Sequence, residues 1–144
     1  MNVRLLVAAV VVATAVLSGC SAPGGGVSAE ESRNRFYASL DSTQEALGGA
    51  WTVQDDSTPR GCSLPLWAQG ESYAALRLGP MPQDVSAAVT AARNALREQG
   101  FATTVGEVGA VTELRGRRTG TEVVTFRITD DGMTLQGESD CRPR

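Results

Sequence analysis

The sequence predicts an α+β fold, a two-layer sandwich in which two helices cover one face of an antiparallel sheet of four to five strands. Two stretches with apolar residues at helical spacing predict the helices. Segments with alternating polar and apolar residues, most of them after the second helix, predict the sheet. About 125 residues remain once an N-terminal leader is removed, which is enough for one domain with a hydrophobic core.

The first helix is predicted to begin at Ser28, because this residue can cap the helix and Glu31 lies three residues further on, as in a capping box. Apolar residues recur at helical spacing from Phe36 to Leu47, and the glycine pair at 48–49 ends the helix.

Three segments then lead to the second helix. Residues 51–54 predict a short strand, residues 55–61 a loop, and residues 62–67 an irregular segment, since Pro65 disfavours a central strand. Residues 72–78 predict a further strand. Its two faces are predicted to be Ala74, Leu76 and Leu78 on the apolar side and Tyr73 and Arg77 on the other.

The second helix is predicted to begin at residues 82–84, where a proline precedes an acid, and to end at Gly100. Its apolar stripe is Val85, Ala88, Val89, Ala92 and Leu96. Strands are predicted over residues 101–105, 108–115 and 121–129. The turn signal at 130–132 then predicts a hairpin to a last strand with Met133 and Leu135.

The N-terminal leader has the pattern of a secretory signal. Arg4 precedes an apolar run of about a dozen residues, which is shorter than the roughly 20 that a membrane span needs. The sequence Leu17-Ser18-Gly19-Cys20 follows and resembles a bacterial lipobox. This resemblance implies that residues 1–19 are removed between Gly19 and Cys20, and that Cys20 carries lipid. The alternative is a secreted protein with a spare thiol.

Residues 20–27 are then the lipidated cysteine and a flexible tether, and residues 28–144 form the single α+β domain. The seven residues at 21–27 reach at most about 25 Å when extended, so the domain is expected close to the bilayer. The predicted location is the extracytoplasmic face of the cell membrane.

Composition argues against several function classes. The formal net charge is −3, and −4 without Arg4, which disfavours nucleic acid as a partner. All 13 basic residues are arginine, and lysine and histidine are absent. The chain therefore lacks an imidazole base, the usual zinc ligand, a Schiff-base lysine and a P-loop lysine. We expect no cofactor, no metal site and no catalytic residues; the arginine bias itself indicates a GC-rich source.

Two cysteines remain after Cys20, namely Cys62 and Cys141. In an exported protein they are predicted to form a disulfide, closing a loop of roughly 80 residues that contributes up to about 4.5 kcal/mol. A redox or metal role is the weaker alternative, because no Cys-x-x-Cys spacing or third ligand is present.

Other polar and aromatic residues are also candidate site residues. The acid pairs at 55–56 and 130–131 are interpreted as a structural loop and a turn rather than a calcium or acid site. Trp51 and Trp67 are expected to be buried beside the disulfide, with a pocket lining as the alternative. The arginines near the predicted hairpin tip at Gly116 and Gly120 are either a solvated turn or a contact with anionic head groups. These are Arg115, Arg117 and Arg118.

The arrangement as a whole resembles the small mycobacterial lipoproteins of the LppA type and related actinobacterial lipoproteins. The resemblance rests on the lipobox, the Ala50-Trp51 helix end, the 55–56 acid loop, Cys62, the helix end at 96–100 and the segment 137–141. It implies a surface-anchored lipoprotein with one disulfide and no established activity.

The sequence therefore predicts a non-enzymatic, membrane-anchored lipoprotein domain that binds another envelope protein or a small ligand. The alternative is a carrier of a lipid or other apolar molecule, held on the sheet face opposite the helices or between the layers. An envelope hydrolase with paired carboxylates is a third hypothesis, for which no acid pair can be identified from sequence.

Overall fold

A computed structural model describes residues 26–144. The predicted signal peptide, the cleavage site at Gly19 and Cys20, the lipidation of Cys20 and most of the tether lie outside the described residues. None of the helices within residues 26–144 is long and apolar enough to cross a membrane.

Two helices and eight strands make up the domain. In chain order they are α1 (Ala29–Leu47), β1 (Thr52–Val53), β2 (Arg60–Ser63), β3 (Gln69–Ser72), β4 (Ala74–Gly79), α2 (Val85–Glu98), β5 (Ala102–Val108), β6 (Val111–Arg117), β7 (Val123–Thr129) and β8 (Gly132–Glu138). A tight turn at Pro65–Trp67 leads from β2 towards β3.

Local capping signals fix the helix ends. The Ser28 hydroxyl accepts a hydrogen bond from the Glu31 amide, and Gly48 ends α1 at a positive φ of 68°. The Asp84 carboxylate caps α2 in the same way, accepting from the Ala87 amide. Both predicted helices are confirmed.

Six strands form one antiparallel sheet in the order β1-β4-β8-β7-β6-β5, and β2 pairs with β3 in a separate hairpin. The α+β sandwich is confirmed, with more strands than predicted. Segment 60–63, expected in a loop and an irregular stretch, is a strand because it pairs with β3, the next strand along the chain. The β5–β6 turn lies at Gly109, where φ is 64°, and Gly106 lies inside β5.

Both helices pack on the same face of the sheet. One core joins α1 and α2 to the inward residues of the strands, which include Leu114, Phe126 and Leu135. The helix residues in it are Phe36, Leu40, Ala88, Ala92 and Leu96. Val85, predicted in the stripe of α2, is 43% exposed, because it lies at the first turn beyond the sheet contact.

The alternation predicted for β4 is observed, and the face with Tyr73 and Arg77 is the buried one. Ala75 and Arg77 are buried toward the helices, whereas Leu78 is exposed. Alternation alone assigns two faces without saying which one is inward. Here Arg77 turns inward because acidic partners on α1 and in the 55–56 loop meet its guanidinium.

Candidate binding surface

The sheet ends in a free edge at β5. This strand pairs only with β6, from Ala102 opposite Arg117 to Val108 opposite Val111, and within residues 26–144 no strand lies on its other side. Six of its seven residues are exposed, including Val105 at 40% and Val108 at 61%. Native edge strands are commonly protected by lysine, proline, a bulge or short length. β5 has neither lysine nor proline and one charged residue, Glu107, so this edge can accept another strand.

Two shallow clefts of about 320 Å³ each run beside β5 on the sheet face opposite the helices. Gly106 opens the first of them, because a side chain is missing where the strand passes Glu113. Arg115 lines both clefts, and Arg117, which is exposed, lines the second. Positive charge from Arg115 and Arg117 thus lies beside residues 102–104 of the free edge, whereas Glu113 also lines the first cleft.

Glu113 organises the charges on this face. Its carboxylate accepts from Arg127 Nε at 2.6 Å and from Arg115 Nε at 2.8 Å, and the side chain is only 7% exposed. The hydrogen bond from Arg127, helped by the charges of both arginines, holds the pKa of Glu113 below its usual value. The hydrogen bond with Glu113 therefore fixes the orientation of the Arg115 side chain beside β5.

This pairing predicts an acid-dependent loss of stability. Because the folded pKa of Glu113 is lowered, its stabilising contribution is complete above the unfolded value of about 4.5 and is lost as the pH falls through the folded value. We expect Glu113→Gln to unfold more easily at neutral pH and to lose less stability between roughly pH 5 and pH 3 than the wild type. Urea midpoints measured across this range test it.

The exposed Glu107 on β5 provides the matched control. Glu107→Gln removes the same charge without breaking an observed ion pair, so its pH profile should follow that of the wild type. Equal profiles for Glu113→Gln and the wild type would contradict the role assigned to Glu113.

The structure separates the three arginines that the sequence grouped at a hairpin tip. Gly116 lies inside β6, and Arg118 is mostly buried, with a side chain 14% exposed. Its guanidinium donates to both oxygens of Glu122 and to the Gln99 carbonyl, and it lies 4.5 Å from the centre of the Phe101 ring. Arg118 thus joins the end of α2 to the β6–β7 turn, and the predicted contact with head groups does not extend to it.

A second concave surface lies on the same sheet face, between the 54–60 loop and strands β4, β7 and β8. This groove has a volume of about 500 Å³, and its rim carries Asp56, Arg60 and Glu138. Arg60 Nη2 lies 3.6 Å from Asp56 Oδ2. The hydrogen bond from the Thr58 amide is the largest cause that lowers the pKa of Asp56, and a hydrogen bond with the Thr58 side chain is the second. A charged, open rim suits a polar ligand better than an apolar one, so it gives the carrier hypothesis no support.

The two predicted acid pairs have structural partners. Asp55 binds Arg77, and Asp56 accepts from the Thr58 amide at 2.9 Å, so the two carboxylates serve different groups. Asp131 lies in the β7–β8 turn, as the turn signal predicted. Across residues 26–144, no group of three or more histidine, cysteine or acidic side chains is placed to hold a metal ion.

The predicted disulfide is present between Cys62 of β2 and Cys141, with 6.1 Å between their Cα atoms. It holds the segment after β8 against the β2–β3 hairpin, and two backbone hydrogen bonds between Glu71 and Arg142 hold the same segment on β3. Gly70 permits this close approach, since a Cβ there would lie 2.9 Å from the Cys141 sulfur.

The two tryptophans differ from expectation. Trp51 is half-buried against the core, with its indole N–H donated to the Gly48 carbonyl. Trp67 was expected beside the disulfide but is 91% exposed, because it lies at the tip of the β2–β3 hairpin rather than at its base.

Sequence reasoning missed the free edge of β5, the buried Arg77 and the exposed hairpin tip. Local sequence does not determine the order of strands in a sheet, so no sequence pattern indicated that β5 has a free edge. The burial of Arg77 did have a signal in the sequence. Asp41 and Gln44 lie three residues apart on one face of α1, and both accept hydrogen bonds from its guanidinium.

Comparison with known proteins supports the fold only. No protein-family model and no curated protein matches the chain. One solved structure is similar. It is the crystal structure of a DUF4853 family protein from Actinomyces odontolyticus, with a TM-score of 0.61 and 20% sequence identity, covering 83% of this chain and 71% of that one. At this identity the likeness shows a shared fold and no shared activity.

Proposed function

We propose that this protein is a lipid-anchored extracytoplasmic domain without enzymatic activity, which binds an extended, acidic segment of another envelope protein along β5. The observation that carries the proposal is the seven-residue free edge of β5, with exposed valines and no lysine or proline. The anchor rests on the Leu17-Ser18-Gly19-Cys20 sequence, and the resemblance to LppA-type lipoproteins supports it.

Addition of a strand to this edge uses the backbone for affinity and side chains for specificity. An incoming strand pairs its N–H and C=O groups with those of β5, which needs no particular partner sequence. Side chains on alternate positions then lie over the clefts beside Arg115 and Arg117. Acidic residues at those positions complement the arginines, which is why the proposed partner segment is acidic.

Changing the exposed valines of β5 to lysine tests this proposal. We expect Val105→Lys/Val108→Lys to lose the partner that the wild type retains when the anchored protein is cross-linked in native membranes and purified. Lysine at an edge opposes strand addition because a partner strand would have to bury its charge.

Thr90→Lys/Asn94→Lys is the matched control, since it adds the same two charges at exposed positions of α2. This variant should keep the partner. Equal recovery with both variants would place binding elsewhere on the domain, and recovery of no protein by the wild type would contradict protein binding altogether.

A further inference from the structure

The tip of the β2–β3 hairpin exposes two large apolar side chains in an unfavourable backbone conformation. Leu66 is 95% exposed and Trp67 is 91% exposed. Both have positive φ, 62° and 63°, a region that bulky residues other than glycine rarely occupy. A folded domain gains nothing from either feature by itself, and strained positions of this kind concentrate at functional sites.

Hydrogen bonds and the disulfide restrain the hairpin directly below the tip. The Leu64 amide donates to the Ala68 carbonyl at 2.8 Å and closes the loop directly below the tip. Two residues further down, Cys62 pairs with Gly70 across the hairpin, and the disulfide fixes Cys62 to Cys141. Leu66 and Trp67 therefore lie at the end of a hairpin that the disulfide cross-links to the rest of the domain.

The same hairpin lies beside the point where the tether joins the domain. The amide of Ala29, the first residue of α1, donates to the Pro143 carbonyl at 3.1 Å, and the neighbouring Arg142 is paired with Glu71 of β3. Trp67 is four residues from Glu71, a span of at most about 14 Å. Residues 21–27 span at most about 25 Å when extended. The bilayer that holds the anchor is therefore close enough for the hairpin tip to reach it.

We propose that Leu66 and Trp67 insert into the interface of the bilayer that carries the lipid anchor and give the domain a second membrane contact. This inference rests on the proposed anchoring. Tryptophan concentrates at the membrane interface because its ring is apolar while its N–H stays hydrated, and leucine adds apolar area to bury. With the lipid already holding the domain close, insertion is intramolecular and needs little affinity of its own.

This contact leaves β5 accessible. The hairpin is connected to β4, and β5 lies four strands away in the sheet order, a separation of roughly 19 Å at the usual strand spacing. A segment added to β5 therefore does not compete with the tip for the membrane. The lipid anchor and the inserted tip together fix the orientation of the domain on the membrane, and so the direction in which the free edge of β5 faces.

Tryptophan quenching by brominated lipids tests the inference. The chain beginning at Cys20 is coupled through the Cys20 thiol to a maleimide lipid in phosphatidylglycerol–phosphatidylcholine vesicles with brominated acyl chains, so that tethering does not depend on lipidation in the cell. We expect Trp51→Phe, which retains Trp67, to lose most of its emission relative to vesicles without bromine. Trp67→Phe, which retains Trp51, should lose little.

The outcomes separate this inference from the proposed function. If Trp67 stays unquenched in the coupled protein, the membrane contact is overturned, whatever modification Cys20 carries in the cell. Shielding of Trp67 only when membrane proteins are added would equally overturn it, in favour of a protein contact. If Trp67 is quenched but the natural protein lacks lipid, the tip binds membranes and the anchoring proposal fails alone.

Discussion

Replacing Arg77 with methionine is expected to lower the free energy of unfolding by about 3–5 kcal/mol, the cost of breaking a buried ion pair by removing one partner. Arg77 is 2% exposed, and its Nη2 lies 2.6 Å from Asp55, whose side chain is 11% exposed. Its Nη1 donates to Asp41 at 2.5 Å and to Gln44. The variant leaves the Asp55 carboxylate without its partner.

The protonation of Arg77 follows from the same contacts. Burial by itself lowers the pKa of a guanidinium, but the hydrogen bonds with Asp55 and Asp41 raise the pKa of Arg77 above its usual value. The side chain is therefore a permanent cation that links β4 to α1 and to the 55–56 loop.

Urea unfolding of two further variants separates charge from packing. Arg77→Met/Asp55→Asn removes both partners and should recover part of the loss, because no buried charge is left unpaired. Arg93→Met, at an exposed position of α2, should change stability by less than about 0.5 kcal/mol. A loss for Arg77→Met no larger than that for Arg93→Met would show that the buried cluster does not stabilise the fold.

Removing the disulfide is the second large effect. We expect Cys62→Ser/Cys141→Ser to lose about 2–5 kcal/mol, because the bridge closes a long loop and restricts the unfolded chain. The sequence separation of the two cysteines is 79 residues. For a domain of this size the loss corresponds to a fall in Tm on the order of 10 °C.

Circular dichroism melts with and without reductant check this result. Reductant should lower the Tm of the wild type to near that of the double variant, and it should leave the variant unchanged. Equal melting of all four samples, or alkylation of both thiols in the native exported protein, would contradict the structural role of the bridge.

The parts of the fold that sequence predicts are those with local causes. The Ser28 and Asp84 caps act within four residues, and the 130–132 turn joins two strands that are adjacent in sequence. These elements could be read without knowing the rest of the molecule.

The parts that sequence did not predict depend on distant partners. Arg77 is buried because Asp41 and Asp55 meet it from other elements, and a period of two residues does not say which face of β4 is inward. Trp67 is a different case: its hairpin is local, but the sequence predicted an irregular segment at 62–67 where β2 pairs with β3. The free edge follows from strand order alone, so local pattern could not reveal it.

Mass spectrometry of the natural protein purified from membranes tests whether this domain works while anchored through Cys20. We expect a chain that begins at Cys20 with a diacylglyceryl thioether on its sulfur, and we expect Cys20→Ala to be released from the membrane with its fold intact. An unmodified Cys20 sulfur, or a leader still attached at residues 1–19, would contradict it.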